Sequence, residues 1–312
     1  MIQIRTRLLL SILAAGAGAA SAAAQDAPPL EAQTGPDFPL WDYRISADGY
    51  ATTDSGFADG SGQMRRAVIG GEFGTTITLA PTFQLLLDAR AELRDYEFSG
   101  ATEFDPVNGA PFESLYRTYL EGLALIEVDD RWQLAFGTRL ASQGETDADF
   151  NDTLTARVYA GPIYTVNENL TLGLGILVQS RLEDNPYVLP APYLEYQFQS
   201  RPAYTLRLRP FEGIDLRYEP SETYALAFEF DWEYNEFRLS DDGFAADGVY
   251  RETSLRLGVE GQWRPNPNLD LTAGIGSFIW QDVELLDAGG GDLTEDSITP
   301  NAYLSLGIEY RF

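Results

Sequence analysis

The 312-residue sequence contains no cysteine, no histidine and no lysine, so all 21 basic side chains are arginine. Without cysteine there is no disulfide, no thiol nucleophile and no thiolate metal ligand. Without histidine the chain lacks the commonest general base and the commonest metal ligand. A nucleophilic serine would therefore lack its usual partner, and we expect the protein not to be an enzyme and to have no resident cofactor.

Basic residues are also few, because 48 acidic side chains give a formal net charge of -27. A nucleic-acid partner is therefore not expected, since phosphate binding needs a basic patch. After residue 24 there is no apolar run of about 18 residues, which excludes a membrane-spanning helix. Aromatic residues are abundant, with 17 Tyr, 17 Phe and 5 Trp, and this content argues against a disordered chain.

The N-terminal 24 residues have the pattern of a secretory signal peptide. Arg5 and Arg7 precede an apolar stretch over residues 8–20, and Ala22 and Ala24 form a small-residue cleavage site. An uncleaved anchor is the alternative, although the stretch is short for a membrane span. Residues 25–40 contain four prolines and are predicted to be a flexible lead-in. The sequence thus predicts Sec-type export of a single domain over residues 41–312.

Apolar and polar residues alternate along most of this domain, as they do in strands with one apolar and one polar face. The alternation runs for about ten residues or more, which suits a tilted membrane-crossing strand of about 9–11 residues. Strands of a soluble β-sandwich usually have only about five or six. Short turns alternate with long loops, and aromatic residues lie near strand ends, as in outer-membrane barrels. The strands that show the alternation most clearly begin at Phe83, Leu170, Tyr224 and Leu255.

The predicted fold is all-β: a transmembrane antiparallel up-and-down β-barrel of fourteen strands. The weakest pair covers residues 203–210 and 213–219, and we assign it to the wall because its apolar face would otherwise stay wet. The alternative is twelve strands plus a short inner or rim hairpin. Both counts are even, as in bacterial single-chain barrels. The predicted strands are 42–53, 64–79, 83–98, 114–127, 131–141, 153–165, 169–182, 191–199, 203–210, 213–219, 223–239, 250–264, 269–284 and 298–312.

The last strand resembles the C-terminal assembly signal of bacterial outer-membrane barrels. Ser305, Gly307, Tyr310 and the terminal Phe312 occupy the places of a polar residue, a glycine and the final alternating aromatics. This resemblance implies recognition by the barrel-assembly machinery, and an exposed strand edge suits such recognition physically. The chain from about Met64 onward is similar to a family of Gram-negative outer-membrane barrels of unknown function. The likeness is carried by Pro192-Tyr193-Leu194-Glu195-Tyr196, Pro210, Gly213, Leu216 and Tyr218.

Charged residues on the strands fall on the face opposite the apolar one, which predicts a polar lumen near charge balance. Arginine can pair bidentately with carboxylates across this space. A simpler interpretation is that these charges only avoid lipid, where each would cost about 2–4 kcal/mol at the midplane. The predicted lumen-lining residues are Arg66, Arg90, Arg94, Arg117, Arg139, Arg157, Arg256, Glu92, Glu121, Glu229, Asp231 and Glu260.

The excess of acidic residues lies in the long loops. Such loops repel anions and concentrate cations within about a Debye length, roughly 8 Å. Oxygen ligands also suit Ca²⁺ or Mg²⁺, and Asp147, Asp149 and Asn151 have the spacing of a calcium loop. The sequence lacks that loop's glycine at the sixth place and its glutamate at the twelfth. Loop-bound calcium is therefore a weak candidate beside a merely solvated acidic loop.

These features predict a bacterial outer-membrane barrel that acts as a passive porin-like channel, with a polar lumen and acidic extracellular loops. The alternative is a structural or surface-contact barrel whose lumen is closed by Arg–carboxylate pairs. The expected partners are outer-membrane lipid and lipopolysaccharide, the assembly machinery, and small solutes or ions. The sequence names no particular solute.

Overall fold

The computed structural model describes residues 38–312 apart from 101–110, 113, 200–202, 211–212 and 243. Residues 41–312 form one compact unit. The predicted signal peptide and nearly all of the lead-in lie outside the described residues and stay predictions. The strands are β1 Leu40–Thr52, β2 Ser55–Gly56, β3 Gln63–Ala80, β4 Phe83–Ser99, β5 Ser114–Glu127, β6 Trp132–Glu145, β7 Leu154–Asn167, β8 Leu170–Gln179, β9 Tyr187–Gln197, β10 Tyr204–Arg209, β11 Gly213–Tyr218, β12 Tyr224–Arg238, β13 Val249–Asn266, β14 Leu269–Leu286, β15 Asp292–Ile298 and β16 Asn301–Arg311.

Fourteen of these strands form a closed antiparallel up-and-down barrel, which confirms the predicted fold. The ring closes where β1 pairs with β16, from Arg44 opposite Arg311 to Thr52 opposite Tyr303. The short strands β2 and β15 lie outside this count, beside β3 and β14. The weak hairpin β10–β11 pairs with β9 on one side and β12 on the other, so it belongs to the wall. The twelve-strand alternative is therefore wrong.

The outer face of the wall is apolar because the alternation in sequence places one residue in two outside. Leu120 is 65% exposed and Leu306 is 71% exposed, although both lie in the middle of long strands. Their sequence neighbours Glu121 and Ser305 point to the interior. Exposed aromatic residues lie near the strand ends, as interfacial girdles require. This group includes Trp41, Trp132, Tyr224, Trp263 and Phe312.

The two ends of the barrel differ in their connections, and we name them the turn end and the loop end. At the turn end, the turn 128–131 is held by the Asp129 carboxylate, which accepts hydrogen bonds from the backbone N–H groups of Arg131 (2.8 Å) and Trp132 (2.9 Å). These two bonds lower the pKa of Asp129, because they stabilise the ionised carboxylate. No helix in the described part of the chain is long and apolar enough to cross a membrane.

The loop end is more ordered than the sequence predicts. Residues 286–297 are predicted as an open loop, but they contain β15, which pairs with β14. The glycine-rich segment 289–291 forms a tight turn, in which Asp287 accepts hydrogen bonds of 2.8 Å from the N–H groups of Gly289 and Gly291. The pKa of Asp287 is lowered for the same reason as that of Asp129. Alternation misses β15 because its sequence, DLTEDSI, contains only two apolar residues, Leu293 and Ile298, and they fall on opposite faces of the strand.

Strand β12 has two sets of neighbours. Its first half pairs with β11, from Leu226 opposite Tyr218 to Phe230 opposite Ile214. At its far end Arg238 instead forms a parallel bridge with Gly144 at the end of β6. In strand order β6 and β12 are separated by five wall strands. The loop-end half of β12 therefore crosses the interior, and it narrows the barrel towards that end.

A charge on the outer face tests the barrel directly. We expect Leu120→Arg to destabilise the protein in a bilayer by about 2–4 kcal/mol, because Leu120 lies midway along β5 in the apolar band. Val128→Arg is the matched control, since Val128 is 60% exposed but lies in the adjacent turn. Unfolding by urea in liposomes measures both changes. Equal, small effects would contradict an apolar band around the barrel.

Candidate functional site in the barrel lumen

A cavity of about 620 Å³ occupies the turn-end half of the interior. Its wall combines charged side chains of both signs with tyrosine and apolar groups, so it is neither a dry core nor a purely ionic site. The sequence-predicted residues Glu121 and Arg139 line it and form an ion pair with each other. The lining further includes Arg44, Glu72, Asp88, Gln133, Tyr159, Ala191, Tyr193, Arg209, Pro210 and Glu309.

Above this cavity lies a layer of buried ion pairs centred on Glu92. Its carboxylate accepts hydrogen bonds from Arg94 Nε (2.7 Å) and Arg117 Nη2 (2.9 Å), and its side chain is 3% exposed. Arg117 also donates to Asn235 Oδ1 at 2.7 Å. Since Arg117 is on β5 and Asn235 on β12, this contact spans the interior between strands that are not neighbours in the wall.

Most other predicted lumen-lining residues also make contacts in the interior. Arg90 donates to both carboxylate oxygens of Asp48, at 2.7 and 2.8 Å. Arg256 donates to Asp231 Oδ2 at 2.7 Å, and Arg157 donates to Gln179 Oε1 at 2.7 Å. Glu229 and Glu260 are half-buried in β12 and β13, on the same face as Asp231 and Arg256. That these residues serve as the lining of a conducting path stays a prediction.

The loop end of the interior is filled by an apolar cluster, which the sequence analysis does not predict. Below it, Arg66 pairs with Glu252, and Glu252 also accepts a hydrogen bond from the Tyr96 hydroxyl at 3.0 Å. Tyr96 in turn packs against Phe112, with ring centroids 5.1 Å apart. The described interior thus contains the cavity in its turn-end half and the apolar cluster at its loop end. The cluster comprises Phe57, Met64, Tyr96, Phe112, Leu115, Phe237, Leu239, Ala245, Tyr250, Val283, Leu285 and Ile298.

Two groups of interior residues escape the sequence analysis for different reasons. Arg44 donates to Glu72 Oε1 (2.9 Å) and Asp88 Oδ1 (2.5 Å), and its place in the alternation of β1 is a signal that would have found it. Glu236 and Arg238 lie on the outward-facing side of β12 by alternation, yet both are buried. Their burial follows from the crossing of β12 over the interior, which the two-residue period of the sequence does not predict.

The residues of the predicted assembly signal lie in β16, with its edges paired on both sides. Ser305 is opposite Tyr50 and Gly274, and Gly307 is opposite Asp48 and Thr272. A Cβ at Gly307 would lie 2.5 Å from Thr272 Oγ1, so the position needs glycine. Tyr310 and Phe312 are partly exposed, at 38% and 47%. Recognition of this strand by the assembly machinery stays a prediction.

The weak calcium candidate has another role in the structure. Asp149 Oδ1 accepts hydrogen bonds from the Asn151 N–H (2.9 Å) and Nδ2 (3.2 Å), and it caps the 3₁₀ helix Phe150–Thr153. Among the residues that the structure describes, no group of three or more acidic side chains is placed to hold a metal ion. Calcium binding by Asp147, Asp149 and Asn151 stays a prediction with no further support.

A family described as a domain of unknown function, DUF6268, matches residues 128–311. The chain belongs to the DUF6268 family. The match includes Pro192 to Tyr196, Pro210, Gly213, Leu216 and Tyr218, on which the sequence resemblance depends, and it confirms membership of a family of unknown function. No curated protein matches the chain.

The solved structures similar to this DUF6268 protein are outer-membrane barrels. The COG4313 outer membrane channel from Pseudomonas putida F1 is 12% identical, with a TM-score of 0.50 over 92% of this chain and 100% of that one. The toluene transporter TodX from P. putida is 8% identical, with a TM-score of 0.44 over 89% and 90%. The KdgM porin, in complex with oligogalacturonate, is 12% identical, with a TM-score of 0.33 over 86% and 99%. At these identities the likeness shows the fold alone.

The buried layer around Glu92 gives a second prediction. We expect Glu92→Gln to destabilise the barrel by about 3–5 kcal/mol, because it removes the carboxylate that Arg94 and Arg117 share and leaves only Glu233, 3.9 Å from Arg94, to balance them. The control is Glu97→Gln, whose partner Arg65 is 52% exposed and whose loss costs at most about 1 kcal/mol. Chemical unfolding, followed by loss of the folded band on a gel, measures both. Equal stabilities would show that the layer is hydrated.

Proposed function

We propose that this protein is a porin-like channel of the bacterial outer membrane for small solutes. Its turn end then faces the periplasm, and its acidic loop end faces the outside, since short turns and long loops have these places in outer-membrane barrels. The barrel assembles through recognition of β16, contacts lipid along its apolar band and meets lipopolysaccharide at its loops. The fold shared with the COG4313 outer membrane channel is compatible with this proposal.

The observation that carries the proposal is the cavity of about 620 Å³, which is large enough for a small solute. Charged groups of both signs line it, so a polar solute can exchange its water for hydrogen bonds within the wall. Above it, Arg94 Nη1, Arg117 Nε and Asn235 Nδ2 are buried without a hydrogen-bond partner among the described residues. Such groups favour the entry of water into the layer, because leaving them dry is costly.

The alternative, a structural barrel with a closed lumen, is favoured by the same layer and by the apolar cluster above it. Arg94 is 2% exposed, Glu252 is fully buried, and Tyr96, Phe112 and Tyr250 stack over them. An axial path through the loop end therefore needs this cluster to move. Phe112 is the natural point of movement, because it lies in the connection between β4 and β5 rather than in a strand.

Single-channel recording in planar bilayers tests the channel against the structural barrel. We expect small, cation-preferring current steps in the wild type, since the acidic loops concentrate cations near the mouth. Phe112→Ala is expected to enlarge the steps, because it removes a ring that contacts Tyr96, Phe98 and Tyr250. Phe150→Ala is the control, since Phe150 is 61% exposed in the loop between β6 and β7. Correctly folded barrels that stay silent in all three forms would favour the structural alternative.

We propose no enzymatic role, because the sequence contains no histidine that could serve a serine as general base. Acidic residues do share the interior, as Asp231 and Glu229 do on β12. Acids two residues apart on one strand face are what any polar lumen contains, and Asp231 is already paired with Arg256. Turnover of lipid, sugar or peptide by the purified barrel would contradict this view.

A further inference from the structure

The wall of the barrel is incomplete above the hairpin β10–β11. Within the described residues, Tyr187–Tyr193 of β9 pair only with β8, and pairing with β10 begins at Leu194. On the far side, β11 pairs with β12 only as far as Phe230. Strand β11 begins at Gly213, which has a φ of 100° and lies so close to β12 that a Cβ would be 2.2 Å from the Phe230 carbonyl oxygen.

The gap is long enough for a small molecule to pass through the wall. Seven residues of β9 have no partner on this side and span about 20 Å along the strand. Two missing strands correspond to a width of about 14 Å next to the hairpin. The gap narrows from there to Tyr187 and Tyr234, whose ring centroids are 5.9 Å apart. The gap lies beside the apolar band, because Val188 and Trp232 on its two rims are 64% and 58% exposed. We call this gap, bounded by residues 187–193 and 232–236 and by the hairpin tip, the side window.

The β9 rim of the side window carries prolines at the positions whose amides would face it. Gln197 donates its N–H towards β8, to Asn169, and Phe198 donates towards β10, to Tyr204. Since amides alternate along a strand in unbroken register, those of even-numbered residues face the window side. Pro190 and Pro192 occupy two of these positions and have no N–H to leave unpaired. The β9 rim can therefore remain without a partner strand at these two positions and leave no N–H group unsatisfied.

The β12 rim keeps its polar backbone, so the window needs water. Leu239 donates to Gly248, and the continuous β12–β13 register then directs odd-numbered residues of β12 towards β13. The backbone groups of Trp232, Tyr234 and Glu236 consequently face the window. Unpaired backbone groups at membrane depth are tolerated only where they meet protein or line a water-filled space.

A set of polar contacts closes the window from above. The rings of Tyr187 and Tyr234 meet across it, with centroids 5.9 Å apart. Arg181, in the loop between β8 and β9, donates to the Tyr234 hydroxyl at 3.0 Å and to Glu236 Oε1 at 3.1 Å. Leu182 N–H also donates to Glu236, at 3.0 Å. This loop thus ties β9 to the crossing half of β12.

The inner side of the window meets the cavity. Ala191 and Tyr193 on the β9 rim, and Arg209 and Pro210 at the hairpin tip, all line the cavity of about 620 Å³. The rim offers exposed apolar groups and two tyrosines, whereas the cavity offers charges of both signs. This combination suits an amphipathic molecule, with an apolar body at the rim and a polar group inside.

We propose that the side window is a lateral route between the lumen and the membrane for small uncharged amphipathic solutes. The proposal rests on the proposed channel function and names a solute class and a path for it. A lateral path avoids the filled loop end, because Ala191 and Tyr193 on the β9 rim also line the cavity in the turn-end half. The solute moves between cavity and lipid without passing Tyr96, Phe112 or Tyr250.

The first test asks whether water fills the window, and the absence of cysteine makes single-cysteine variants specific. We expect Val188→Cys on the rim to react with a charged, membrane-impermeant methanethiosulfonate about tenfold faster than Ile176→Cys, because only the thiolate reacts and hydrocarbon keeps a thiol protonated. Val188 and Ile176 both point outward and are similarly exposed, at 64% and 61%, but only Val188 lies on the edge that has no partner strand. Exposure alone therefore predicts equal rates. Equal rates, with both barrels folded, would overturn the proposal.

A second pair on the opposite rim guards against a misfolded variant. Trp232→Cys is expected to react faster than Phe228→Cys, again about tenfold. Both side chains point outward from β12 and are similarly exposed, at 58% and 51%, but β11 covers the edge only at Phe228. The same slow rate at both positions would count against a wet window.

The second test follows a solute. A photoreactive alkyl glycoside with a diazirine in a short alkyl chain is added to the Val188→Cys protein in lipid nanodiscs, before and after the thiol is blocked. We expect labelling of Tyr193 and Tyr159 in the cavity to fall severalfold on blocking, while labelling of the outer face of β8 stays unchanged. Cavity labelling that is equal before and after blocking, or no cavity labelling at all, would contradict the lateral route.

Ion conductance of the blocked protein separates the two proposals. If current steps persist and cavity labelling is the same before and after the thiol is blocked, the channel proposal is supported and the lateral route is contradicted. A silent barrel whose cavity labelling still depends on the open window would support the lateral route and contradict an aqueous channel.

Discussion

Backbone hydrogen bonding in hydrocarbon is the constraint on which the rest of this structure depends. A chain without apolar helices can cross a bilayer only if every strand edge finds a partner, and a ring achieves this when β16 meets β1. The β10–β11 hairpin breaks the rule locally, because it covers only the turn-end half of its neighbours. On the exposed edge of β9, Pro190 and Pro192 have no N–H groups that would need a partner. The exposed edge of β12 leaves the wall where that strand crosses the interior.

The interior divides into three layers that follow from this geometry. At the turn end fourteen strands enclose a cavity with mixed charge. In the middle, Glu92 forms ion pairs with Arg94 and Arg117, and this pairing offsets the cost of burying the three charges. At the loop end β12 bridges to β6 and the narrower space fills with aromatic and aliphatic side chains. The cavity is thus confined to the half of the barrel that remains wide.

The crossing of β12 links these layers to each other. The strand contributes Asp231 to the lumen, Asn235 to the ion-pair layer around Glu92, and Phe237 to the apolar cluster at the loop end. The same crossing turns Tyr234 and Glu236 towards the β8–β9 loop, where Arg181 holds them. A movement of the loop-end half of β12 would therefore change both the apolar cluster at the loop end and the side window.

The sequence by itself determined the fold class, the strand count and which side chains point inward, because a two-residue period is a local property that every strand must satisfy. It also placed Glu92, Arg94 and Arg117 on the inner face, and it identified the weak hairpin as part of the wall. It did not predict β15, the apolar filling around Tyr250 or the burial of Glu236. These depend on how far each strand reaches and on which strand it meets after its neighbour ends. Such contacts join residues about a hundred positions apart, such as Gly144 and Arg238, and only the tertiary structure brings them together.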